Sequence, residues 1–120
     1  MTVLSQAAGL AAYRDCADWH REALEYLRGN CDFAQDFIRE NMPQIRMNKI
    51  EATFLMWLDC SALPIEGSPS KFFMEKAKVF LNDGITFGER YGKFVRLNFG
   101  TSRAVLTEAL NRMKDALHAV

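Results

Sequence analysis

Phe94-Val95-Arg96-Leu97-Asn98-Phe99, continued by Gly100-Thr101-Ser102-Arg103, reads as a strand that runs straight into a helix. Side chains alternate faces along a strand. Val95, Leu97 and Phe99 therefore share one face, and Phe94, Arg96 and Asn98 share the other. Thr101 or Ser102 caps the helix, whose apolar positions are Val105, Leu106, Ala109, Leu110, Met113 and Leu117. Arg112, Lys114 and His118 fall in its last turns, where cations complement the helix dipole. An arginine inside so apolar a strand is costly unless it meets an anion. A guanidinium can grip a carboxylate with two parallel hydrogen bonds. Two readings of Arg96 stand at this point. It pairs with a carboxylate of its own chain, such as Glu51, Asp59 or Glu89, or it holds a ligand, with Asn98 beside it.

Working back from that strand, Phe87-Gly88 precedes a loop with Gly92, and Asn82-Asp83-Gly84 is a turn signal. Ser68-Pro69 is an N-cap followed by proline at the first helical position. The helix it opens turns Phe72, Phe73, Ala77 and Phe80 inward. Ala52 to Asp59 is apolar on both faces and reads as a buried strand. Upstream, a helical pattern runs from an N-cap at Asp15 to Met42, where Pro43 stops it. Leu24, Leu27, Cys31, Ala34 and Ile38 form one stripe on it; Trp19, Ala23, Tyr26, Phe33 and Phe37 form a second. A helix of that span is about 42 Å long. A 120-residue domain has a radius of gyration of only about 14 Å. Part of this helix is therefore expected to pack on protein outside the chain. Thr2 to Tyr13, rich in alanine and glycine, reads as a short helix suited to close packing.

The expected fold class is α+β: a long connector helix and a small, mostly antiparallel sheet covered by helices. Residues 1–42 form the helical segment and connector, and residues 43–120 the small α+β domain. Fifteen basic and fifteen acidic side chains cancel, which argues against nucleic acid as a partner. No apolar run is long enough to span a bilayer, and no signal peptide is legible, so a cytoplasmic location is expected. Cys16, Cys31 and Cys60 are odd in number and widely spaced, a poor pattern for disulfides or zinc.

Other candidate chemistry dissolves on inspection. Ser68-Pro69-Ser70-Lys71 matches Ser-x-x-Lys, but neither Ser-Asp-Asn nor Lys-Thr-Gly follows, and a capped helix start explains it. It also fails as the Ser-x-Ser-Lys that precedes a Schiff-base lysine, because proline sits inside it. His20 and His118 are remote from each other, with no metal-ligand spacing around them. Gly84 to Gly88 suits a turn better than a phosphate loop, and Trp19 and Trp57 suit a core better than a cofactor stack.

Several blocks, in order, carry a family resemblance. Ala11-Ala12-Tyr13, Cys16-Ala17-Asp18-Trp19 and Tyr26-Leu27-Arg28-Gly29-Asn30 resemble the pattern "AAY…W…YL..N". Ala52 to Asp59 resembles "ATYL.WLD", with Phe54 where tyrosine is usual. Gly84 to Gly88 resembles "G..FG", and Phe94 to Gly100 resembles "F.RLN.A", with glycine at the small residue. The chain thus resembles the C-terminal part of fold-type-I pyridoxal phosphate enzymes, class I/II aminotransferases, nearest the cystathionine β-lyases of the MalY/PatB type. The resemblance implies that Arg96 binds the α-carboxylate of an amino-acid substrate and that Asn98 supports the site. It implies a parent enzyme that is a C–S lyase or aminotransferase, uses pyridoxal 5′-phosphate and is a homodimer. The Schiff-base lysine, and with it the catalytic and cofactor-binding residues, would lie in a missing large domain. This chain alone would then be inactive. The alternative is a free-standing α+β module that binds an amino acid or a protein partner.

Overall fold

The computed structural model describes residues 2–120. Two helices lead: α1 (Val3–Asp15) and α2 (Ala17–Asn41). The expected cap at Asp15 is corrected. Asp15 ends α1 and pairs with Arg14 at 2.8 Å, while the chain breaks at Cys16. Met42 closes α2 and donates its N–H to Ile38 O, just before Pro43, as the proline requires. Four strands follow: β1 (Arg46–Met47), β2 (Leu55–Asp59), β3 (Asn82–Asp83) and β4 (Phe94–Asn98). They form one antiparallel sheet in the order β1-β2-β4-β3. Between β2 and β3 lies α3 (Pro69–Phe72), widened into a π-turn over Phe73–Ala77. Helix α4 (Arg103–His118) closes the chain. The architecture is α+β, with helices on one face of the sheet.

The core follows the alternation of β4. Val95, Leu97 and Phe99 are buried and meet Met56 and Leu58 from β2. Cys31, Ala34 and Ile38 of α2, Phe73 and Ala77 of the π-turn, and Leu106, Leu110, Met113 and Ala116 of α4 complete one cluster. Every ion pair among the described residues has at least one side chain more than half exposed. Each such pair contributes at most about 1 kcal/mol, against about 1.5–3 kcal/mol for a buried leucine or phenylalanine. Burial, not surface charge, holds the domain together.

Four local expectations are corrected. The strand from Ala52 begins only at Leu55, because Thr53 takes a left-handed φ of 65° and turns the chain. Only one face of β2 is core, since Leu55, Trp57 and Asp59 are half-buried. Asn82-Asp83 is an edge strand paired with Arg96 and Val95, rather than a turn. Phe80 and Val105 face solvent, because a left-handed Lys78 ends the π-turn before Phe80, and α4 turns Leu106 rather than Val105 inward. The Ser68 cap is borne out, its hydroxyl accepting from Lys71 N–H at 3.4 Å. The Ser102 cap is present as well, accepting from Val105 N–H at 3.4 Å.

Helix α2 spans 25 residues, about 38 Å, shorter than the expected run from Asp15 to Met42 because the helix breaks at Cys16. The radius of gyration is 17.1 Å and the longest axis 52 Å. Only its C-terminal half is buried in this chain, at Asn30, Cys31, Ala34 and Ile38. Trp19, expected in a core, is 70% exposed, and no residue of α1 is buried. The residues of α1 are not buried here, and a Cβ placed on Gly9 would find no atom within 4 Å. We predict that the isolated chain self-associates through Leu10, Tyr13 and Trp19. Sedimentation velocity over a concentration series checks this. Trp19→Ser should shift the chain toward monomer, and a wild-type monomer at every concentration would sink the idea.

Candidate functional site

The outer face of the sheet carries the site. Register sets Arg96 on β4 between Trp57 on β2 and Asn82 on β3. The aromatics gather at the Trp57 end. Trp57 stacks on Phe94 at 5.6 Å and meets the edges of Phe87 at 5.3 Å and Tyr91 at 5.6 Å. The Arg96 guanidinium lies over the Phe87 ring, 4.8 Å from its centre, a cation–π contact. Its Nη2 donates to Asn82 Oδ1 at 3.3 Å.

No carboxylate is paired with Arg96 among the described residues. Glu51 holds Lys49, and Asp59 Oδ1 accepts from Ser61 N–H. Arg96 Nε is buried and has no hydrogen-bond partner. An unsatisfied buried donor costs about 1–3 kcal/mol. This half-buried cation is therefore incompletely satisfied by its own chain.

Asn98 lies on the same strand face but is exposed. Its Oδ1 accepts from Gly100 N–H at 2.8 Å. The structure gives it the task of shaping the turn from β4 into α4, and no hydrogen bond joins it to Arg96 within the described residues.

A buried latch fixes that turn against α2. Asn30 is fully buried and donates through Nδ2 to Phe99 O at 3.1 Å and Thr101 O at 2.8 Å. Its Oδ1 accepts from Arg103 Nε at 2.8 Å, and Tyr26 Oη accepts from Arg103 N–H at 2.7 Å. Arg103 also lies 4.5 Å from the centre of the Phe33 ring. Tyr26 and Asn30 stand in the "YL..N" block, whose spacing puts them one helical turn apart on the same face. Asn30→Ala would leave two carbonyls and one guanidinium donor without partners. Adding about 1–2 kcal/mol for each such group, we expect a loss of about 3–6 kcal/mol in urea unfolding. A loss below about 1 kcal/mol would show that solvent substitutes for the amide.

The Ser68 to Lys71 segment has no nucleophile role. The Ser68 hydroxyl donates to Asp83 Oδ2 at 2.7 Å, and the Ser70 hydroxyl donates to Leu81 O at 2.8 Å. These bonds tie α3 to β3. All three cysteines are free; burial pushes the Cys60 thiol up to about 12, so it stays protonated and inert at neutral pH. His20 and His118 are exposed, and no group of metal-ligating side chains occurs among the described residues. None of the groups in contact with Arg96 is a lysine, and none forms an anion cradle.

Asn82, Phe87, Asn30 and Arg103 were not singled out from the sequence. Phe87 and Asn30 stand in the "G..FG" and "YL..N" blocks, Asn82 in a turn signal and Arg103 at the start of the last helix, and none of these patterns shows a contact.

No protein-family model matches the chain. It is 35% identical over 108 residues to the cystathionine β-lyase PatB of Bacillus subtilis, covering 89% of this chain and 28% of that protein. A Corynebacterium diphtheriae structure assigned as a pyridoxal phosphate-dependent β-cystathionase matches with a TM-score of 0.87 and 48% identity, covering 90% of this chain and 29% of that one. Cystalysin of Treponema denticola, whose structure contains pyridoxal 5′-phosphate, matches with a TM-score of 0.90 and 30% identity, covering 98% of this chain and 30% of that one. The chain spans about 30% of the length of the relatives it matches. No helix among the described residues is long and apolar enough to cross a membrane. The chain is homologous to this part of the pyridoxal phosphate-dependent cystathionine β-lyases and aminotransferases, and its fold is that of their small C-terminal domain.

Proposed function

We propose that this chain supplies the arginine that binds the substrate α-carboxylate in a pyridoxal phosphate-dependent C–S lyase or aminotransferase. One observation carries the reading. Arg96 is half-buried, covered on one face by the Phe87 ring, and paired with an amide instead of a carboxylate. An amino acid's carboxylate supplies the missing anion. The ring excludes water on that face and strengthens the charge-assisted bonds. Two parallel bonds fix the orientation of the carboxylate and hence of the carbon that bears it.

The cofactor, when bound in the rest of the enzyme, acts as the electron sink. This chain's part is to bind and orient. Residues 1–42 then form the arm, with α2 as the connector, and residues 43–120 the small domain. Exposed Leu10, Tyr13 and Trp19 on that arm support a missing large domain over a free-standing module. The chain alone is expected to be inactive, and the parent enzyme to be a cytoplasmic homodimer. Arg96→Lys in the full enzyme is the test: weakened amino-acid binding is expected, and unchanged kinetics would refute the carboxylate role.

A further inference from the structure

Two uncharged neighbours hold the guanidinium of Arg96. Asn82 is its cross-strand partner on β3 and accepts from Nη2. Phe87 ends the 3-10 turn Gly84–Phe87 that follows β3 directly. One short segment therefore supplies both contacts. That segment is itself anchored through Asp83. Asp83 Oδ2 accepts from the Ser68 hydroxyl at 2.7 Å, and Oδ1 accepts from Ile85 N–H at 3.2 Å. The Thr86 hydroxyl donates to Asp83 O at 2.7 Å.

The order of the two residues matters. Strand alternation turns Asp83 to the opposite face, where its carboxylate is committed to Ser68 and Ile85. Its neighbour Asn82 offers Arg96 only an amide oxygen. An aspartate at that position would have nearly the same shape and would neutralise the guanidinium.

We propose that Asn82 is a positioning residue: a neutral anchor that aims the Arg96 guanidinium while leaving its charge for the substrate carboxylate, with Phe87 covering one face. This rests on the reading of Arg96 as the carboxylate-binding arginine. The substrate enters a site already oriented, with no internal ion pair to break.

The test compares Asn82→Asp, Asn82→Ala, Asn82→Ser and Arg96→Lys in the full enzyme, loaded with pyridoxal phosphate and assayed with L-cystathionine. Asn82→Asp should raise KM about tenfold, because the substrate must displace a new ion pair. Asn82→Ala, which only removes an acceptor, should raise it about two- to fivefold. Asn82→Ser, which keeps a neutral acceptor, should stay within about twofold. A purely structural role gives the reverse order, with the isosteric aspartate milder than alanine. If Arg96→Lys weakens the enzyme but Asn82→Asp does not exceed Asn82→Ala, the assignment of Asn82 falls and the role of Arg96 survives. If Arg96→Lys is silent, the carboxylate reading falls and takes this assignment with it. Melting temperatures measured beside the kinetics separate binding from folding. Should Asn82→Asp fail to fold, a rise in KM for Asn82→Ser as large as that for Asn82→Ala overturns the neutral-acceptor role.

Discussion

Arg96→Lys in the full enzyme is expected to cut kcat/KM by roughly 30- to 150-fold, equivalent to about 2–3 kcal/mol. Lysine keeps the charge, so the loss isolates geometry. An ammonium is a point charge, whereas the guanidinium presents parallel donors that match both carboxylate oxygens. Two contacts within the chain are lost as well. The Arg96 guanidinium lies over Phe87, 4.8 Å from the ring centre, and reaches Asn82 Oδ1 at 3.3 Å. A lysine can reach the amide or cover the ring, but it has no planar fork to do both while facing a ligand. Steady-state kinetics with L-cystathionine, together with circular dichroism and thermal melting, checks the result. The fold should survive, since Arg96 lies on the sheet face away from the apolar core.

Gly84→Ala is expected to lower stability by about 3 kcal/mol, a melting shift of roughly 10 °C for a domain of this size. A Cβ on Gly84 would collide with Tyr91 O and would stand 2.6 Å from Phe94 O and 2.9 Å from Phe94 Cβ. Two of these are backbone atoms, so the clash cannot be relieved by rotating a side chain. The 3-10 turn would have to lift away from the start of β4. Phe87 rides on that turn, so its cover over Arg96 would shift with it. The first glycine of the "G..FG" block is thus explained by close approach of backbone, since Gly84 is not among the residues with positive φ. Thermal melting of the isolated chain is the measurement. A melting temperature within about 2 °C of the wild type would show that the loop absorbs the methyl group without strain.

Much of the frame was legible because it is local. The alternation along Phe94–Asn98, the Ser102 cap and the stop at Pro43 all follow from chemistry within a few residues. The excess length of α2 was legible too, because rise per residue and domain size are both simple scaling rules. The two-residue strands β1 and β3 were not, since two residues carry no periodicity to read. Nor was the left-handed turn at Thr53, a conformation a β-branched residue seldom adopts.

For the site, the amino-acid order by itself determined that Arg96 stands on the face opposite Val95 and Leu97, in apolar company and in need of an anion. Covalent geometry along one strand is enough for that. Which groups meet it was decided only by the tertiary structure. Register between strands remote in sequence set Asn82 on one side and Trp57 on the other. It gave Arg96 an amide where a carboxylate of the same chain could have stood. It also turned Asn98 to the turn, and it made Asn30, far upstream on α2, the buried anchor of that turn. A side chain's direction is written in its own strand, but its partners are chosen by packing across the whole domain.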